Sequence, residues 1–148
     1  MPFARHPLKP VMDELPSDDS LTEERGWIDM DVKWLITNET VGSTKTVVGR
    51  TVFPPGAMHD LHRHPNAEEW EYVLKGTGVK HVGQDAIEVK AGEIVFVPAD
   101  EYHALENPSA TETLVTIWGY CGAGSLEDAG YFTPADDGIA DSVADRGA

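Results

Sequence analysis

Between residues 32 and 120 the chain is a succession of short apolar runs, each cut off by glycine, proline, asparagine or aspartate, and that punctuation leaves little room for helix. Val32–Thr37 and Thr46–Phe53 are rich in β-branched side chains, and the second stops at Pro54-Pro55-Gly56, a turn signal. Glu69–Lys75, Val79–Val82, Ala86–Lys90, Ile94–Val97 and Thr113–Trp118 follow in the same style. No stretch within this region sustains an apolar period of about 3.6 residues, so no core helix is expected there. Short strands at close spacing bury their apolar faces by packing sheet on sheet or by closing into a barrel. The predicted fold class is all-β.

The segments on either side read differently. Residues 1–31 hold eight acidic and three basic side chains, and residues 121–148 hold six and one, so two-thirds of the net charge of -15 sits in the ends. Stretches such as Asp13-Glu14-Leu15-Pro16-Ser17-Asp18-Asp19-Ser20 and Ala135-Asp136-Asp137-Gly138 offer little to bury. We therefore divide the chain into an acidic arm (1–31), a β-barrel (32–120) and an acidic, partly disordered tail (121–148) whose last dozen residues fray. Trp27, Ile28 and Met30 are the exceptions in the arm, apolar enough to dock on the core.

The charge excludes some functions. A chain with 26 acidic and 11 basic residues lacks the cations that neutralise nucleic-acid phosphates or anionic lipid headgroups. The longest apolar run, Ile94–Val97, is far short of a membrane span, and no apolar stretch follows Arg5 as in a secretory signal. The single Cys121 permits no internal disulfide and has no base beside it. A cytoplasmic location is expected, which leaves the sequon-like Asn38-Glu39-Thr40 without consequence. Gly119-Tyr120-Cys121-Gly122-Ala123-Gly124 lacks the lysine of a phosphate-binding loop.

Five of the six histidines, His59, His62, His64, His81 and His103, lie within the strand-rich region. In His62-Arg63-His64 the imidazoles are two residues apart, which on an extended strand aims both at one face. Glu69 opens the next apolar strand, and His103 follows a further strand and the Pro98 turn. Three imidazoles and a carboxylate from adjacent strands make a nitrogen and oxygen site for a first-row divalent metal, and the lack of thiolates argues against a structural zinc knuckle. By the same alternation His59 is expected on the opposite face, and Glu68 in solvent. Glu71 shares the face of Glu69, as a pocket base or a rim carboxylate. His81 is placed in the barrel interior as a second candidate base. Met58, Phe53, Phe96, Tyr102, Trp118 and Tyr120 are the expected apolar lining, whereas Trp70, Tyr72 and Leu74 fall on the outer face as packing or dimer contacts.

These residues resemble two motifs of the cupin superfamily. Gly56, His62, His64, Glu69 and Gly76, separated by five, one, four and six residues, resemble the first motif at every spacing. Gly92 and Pro98, five residues apart, followed by Asp100, His103 and Asn107, resemble the second. The one departure is Asp100, where the family usually has glycine; aspartate tolerates the positive φ that such a turn requires. The resemblance spans about residues 32–120. It implies a small jelly-roll barrel whose mouth holds one divalent metal (zinc, iron, nickel or manganese) on His62, His64, Glu69 and His103. From Val32 to Gly76 the chain looks most like small single-domain cupins associated with polyketide cyclisation.

Such a site leaves coordination positions open for water, dioxygen or a chelating substrate. The leading expectation is a metal-dependent cyclase, isomerase or lyase acting on a small keto or enol compound, with the metal as Lewis acid and His81 or Glu71 moving a proton. The alternatives are a non-haem Fe(II) dioxygenase and a non-catalytic small-molecule-binding cupin. Exposed sheet edges predict a homodimer, with the arm and its Val32–Thr37 strand covering an edge on the partner.

Overall fold

The computed structural model describes residues 4–146; residues 1–3 and 147–148, the outer ends of the expected arm and tail, lie outside it. The strands are β1 (Trp27–Ile28), β2 (Asp31–Ile36), β3 (Thr46–Phe53), β4 (Met58–His62), β5 (Glu68–Lys75), β6 (Thr77–Val82), β7 (Asp85–Lys90), β8 (Ile94–Val97), β9 (His103–Glu106) and β10 (Leu114–Cys121). They form two five-stranded antiparallel sheets, ordered β1-β4-β9-β6-β7 and β2-β3-β10-β5-β8. This is the all-β architecture expected from the punctuated strand pattern, in the jelly-roll form that the motif resemblance implies. Among the described residues no helix lies between 32 and 120, and none is long and apolar enough to cross a membrane.

Strict alternation drives the packing. On β3 the inward positions are Val47, Gly49, Thr51 and Phe53; on β10 they include Leu114, Thr116, Trp118 and Tyr120. At one end of the interior Trp27, Val32, Val47, Trp118 and Tyr120 pack together, and at the other Phe53, Val73, Val89, Leu105 and Leu114. Between them lies a polar belt of Thr51, Glu71, Lys80 and Thr116, all buried. Gly49 pairs with Trp118 across the sheet, and a Cβ at Gly49 would collide with the indole. That glycine lets Trp118 lie across the barrel and donate from Nε1 to Thr51 Oγ1 at 2.8 Å.

Of the expected lining, Phe53, Trp118 and Tyr120 are buried inside. Phe96 is not: Glu69 pairs with Val97 and Trp70 with Phe96, so Val97 faces in and Phe96 stands 56% exposed. Met58 and Tyr102 pack instead beside Leu61, Ala104 and Val143, where the chain end covers the first sheet.

The acidic flanks are structured through residue 146. The arm runs along β2 of its own chain: Asp18 donates its N–H to the Val32 carbonyl at 2.8 Å and accepts from Trp34 Nε1 at 2.8 Å. The arm expected to cover an edge on a partner thus contacts β2 of its own chain. In the tail, α1 (Leu126–Ala129) is capped by Ser125, and Thr133 forms a capping box ahead of the 3-10 turn Pro134–Asp137. Arg63 grips Asp137 through two parallel hydrogen bonds of 2.8 and 2.9 Å, and Arg25 holds Asp136 at 2.8 Å. Farther on, at the two ends of α2 (Val143–Arg146), the Val143 N–H donates to Asp60 at 2.9 Å and Arg146 to the Gly83 carbonyl at 2.7 Å. Among the described residues, Arg25 of the arm and Arg63 of the barrel give Asp136 and Asp137 fixed partners.

Asn107, the last residue of the second motif, is a structural tie. Fully buried, it donates to the Phe53 and Glu112 carbonyls at 2.9 and 2.8 Å and accepts from the Ser109 N–H at 3.1 Å. Asn107→Ala orphans these carbonyls and should cost about 1–3 kcal/mol. Denaturant unfolding would show it as a lower midpoint with an unchanged slope.

Candidate metal centre

The histidines are delivered by β4, the turn after it and β9, and a break in register shapes the result. His59 pairs with Leu105 and His62 with His103, so three steps along β4 match two along β9. This bulge resets the alternation. It brings His59 to the side of His62, where the rings stack with centroids 3.7 Å apart and 14° between planes. The expectation that a regular strand turns His59 away is thus overturned by the bulge. His64 follows Arg63, whose backbone bridges to Phe132 of the tail. The turn ahead of β9 is closed by Asp100 at φ 68°, the left-handed conformation expected of the residue in place of glycine, with its N–H on the His64 carbonyl at 2.9 Å.

His62, His64 and His103 are each 1–2% exposed and place one ring nitrogen apiece within 4.8 Å of one another. In all three, Nδ1 meets a backbone carbonyl: Asp60 at 2.7 Å, Gly130 at 2.7 Å and Glu101 at 2.9 Å. A carbonyl only accepts, so each Nδ1 carries a proton and Nε2 is the nitrogen that each ring turns to the cluster. The Nε2 atoms of His64 and His103 are buried with no hydrogen-bond partner. Burial, together with the neighbouring histidines, holds His62 well below its usual pKa, and burial takes His64 down to about 4. Both are therefore neutral at pH 7 and able to ligate. Orphaned, deprotonated nitrogens converging from oriented rings are what a divalent cation requires. The three imidazoles fit one.

Glu69 brings its carboxylate to the same place, with Oε2 2.7 Å from His103 Nε2, outside hydrogen-bond geometry, and Oε1 3.9 Å from His64 Nε2. Burial would raise its pKa, but its cationic surroundings, Lys80 among them, outweigh burial and keep it ionised. Glu71, two residues along the same face, is 8% exposed and lies within the cavity, not on the rim. It accepts from Lys80 Nζ and Thr116 Oγ1, each at 2.7 Å.

His81 does not join them. Lys80 pairs with Leu105 and both line the cavity, so His81, one residue on, faces the other side of the sheet, with Nε2 3.6 Å from Glu106. The cavity side chain of β6 is the one that sequence reasoning passed over. Glu71 and Glu69 more than offset the burial penalty on Lys80 and keep it charged. Its signal was present in the register, since every second residue of β6 from Gly78 faces inward.

The flanks complete the centre. Trp27 of the arm stacks on His59 at 3.9 Å, and Tyr131 of the tail, 5.0 Å from the His62 ring, sits 2.9 Å by its hydroxyl from His59 Nε2 and donates to the Arg25 carbonyl at 2.5 Å. The cavity beneath has about 20 Å³ of free space, room for one water-sized body.

The chain belongs to the cupin family. Residues 49–120 match the Cupin domain. The oxalate-binding protein of Thermotoga maritima is 30% identical over 84 residues, 57% of this chain and 69% of that protein. Polyketide synthase CurC of Streptomyces cyaneus is 30% identical over 77 residues, 52% of this chain and only 50% of that relative. In three dimensions, a predicted oxalate decarboxylase from Thermotoga maritima superposes with a TM-score of 0.67 at 25% identity, over 76% of this chain and 96% of that one.

The Arg63 side chain ties the tail to the barrel, gripping Asp137 and lying over the Phe132 ring, two residues past the carbonyl that holds His64. Arg63→Ala should leave the barrel folded, with an unchanged far-ultraviolet spectrum, yet weaken metal binding by about tenfold through a loosened His64. Competition against a chromophoric chelator would measure the loss.

Proposed function

We propose that the protein is a metal-dependent cupin enzyme of cyclase, isomerase or lyase type, acting on a small keto or enol compound. One divalent ion (zinc, iron, nickel or manganese) is held by His62, His64, His103 and Glu69. The observation that carries this reading is the set of three Nδ1–H···O=C hydrogen bonds, which spend one nitrogen of each ring on the backbone and reserve the other. Such an ion, when bound, supplies Lewis-acid polarisation of a carbonyl or enolate oxygen. The chain's own residues do the rest. Trp27, Leu105, Trp118 and Tyr120 wall the cavity against water. With His81 turned away, Glu71 is the carboxylate placed to accept a proton. Relatives named for oxalate binding and for polyketide synthesis support a small, oxygen-rich ligand.

The test is elemental analysis of protein purified without chelator, followed by anaerobic turnover of a panel of β-keto acids and 1,3-dicarbonyl compounds. Near-stoichiometric metal and oxygen-independent turnover are expected, both abolished in His62→Ala and His103→Ala. Strict dependence on dioxygen with iron bound would replace this reading by the dioxygenase, and tight binding without turnover by the binding protein. We further propose a homodimer formed by the apolar row Tyr72, Leu74, Ile94 and Phe96 on the outer face of β5 and β8. Light scattering should give twice the chain mass, and Phe96→Glu the single mass.

A further inference from the structure

Lys80 is the one lysine or arginine lining the cavity among the described residues, and it is 2% exposed. Its Nζ lies 2.7 Å from Glu71 Oε1 and 3.7 Å from Glu69 Oε2, the oxygen that is itself 2.7 Å from His103 Nε2. A buried ion pair of this kind contributes little net stability, because desolvation consumes most of the Coulomb gain and apolar side chains of similar volume pack as well. Its place beside the candidate ligands asks for another role. Only one of the three ammonium protons is spent on a hydrogen bond, the one to Glu71.

We infer that Lys80 is a specificity-determining residue that receives the second anionic oxygen of a small ligand chelated at the three-histidine centre, selecting small dianions and enolates over less charged analogues. The inference rests on the metal-site reading above and names the class of ligand for it. Charge supports it. Glu69, Glu71 and Lys80 together carry one negative charge, so a divalent ion leaves the loaded cavity with one positive charge, inside a protein whose net charge is -15. Without Lys80 the loaded cavity would be neutral, and an anion would have nothing to offset its desolvation. Lys80 holds no imidazole; it faces Glu69 as well as Glu71, so zinc affinity is measured beside ligand affinity in every variant.

Calorimetric titration of the zinc-loaded full chain with oxalate and with oxamate tests this. The two probes are planar and alike in size and differ by one charge. The wild type should prefer oxalate; Lys80→Met should weaken oxalate binding by about tenfold or more and bring the two affinities together, while zinc affinity is not lowered. Lys80→Arg should restore part of the preference. Because Lys80→Met strands the Glu71 carboxylate, Glu71→Gln/Lys80→Met serves as the charge-balanced variant and decides the matter if the single variant does not fold. An unchanged preference in the variant that folds, or a zinc-loaded wild type that does not favour oxalate, overturns the role of Lys80 and leaves the metal centre standing. Failure of the wild type to bind zinc or any other divalent metal overturns both.

Discussion

Three hydrogen bonds from imidazole to backbone govern what this molecule can do. A histidine ring has two usable nitrogens and free rotation, and a cluster of such rings left to itself would pair internally or protonate in part. Here each Nδ1–H is committed to a carbonyl, so each ring has one tautomer and one direction for its remaining lone pair. The three carbonyls come from three places: within β4, the turn ahead of β9 and the tail after α1. Much of the architecture, from the β4 bulge to the clamp on the tail, serves to bring those carbonyls into position.

The interior shows the complementary constraint. A barrel core is ordinarily apolar, and this one is so at both ends. Its middle holds a carboxylate, an ammonium and two threonine hydroxyls: Glu71 accepts from Lys80 and Thr116, and Thr51 accepts from Trp118. The Glu71 carboxylate has a donor on each oxygen, which makes the belt tolerable in a low-dielectric setting. The belt also keeps the cavity small by filling it with oriented dipoles.

Much of the fold was legible because β-branched runs and glycine or proline turns carry their own conformational reasons. The motif spacing named the ligand candidates, and Asp100 advertised the left-handed turn it occupies. What stayed hidden had physical causes. β4 and β9 contain histidine, aspartate and glutamate where a strand signal needs branched or aromatic residues, although they carry the ligands. The bulge inverted the parity that excluded His59. His81 and Lys80 differ by one register step, and an imidazole reads as the better candidate until strand pairing fixes which faces in. The contacts of the tail were invisible because its partners lie over 60 residues away, Arg63 for Asp137 and His64 for Gly130, and no local composition reports such a distance.

The Gly130 carbonyl also sets an order of events. Its bond to His64 joins residues 66 positions apart, so the third imidazole is aimed only after the tail has docked. A half-made chain, or one whose tail has swung loose, offers two oriented rings and one free one. Orientation of the third imidazole is therefore tied to the docking of the far end of the chain, and the cluster is complete only when that contact is made.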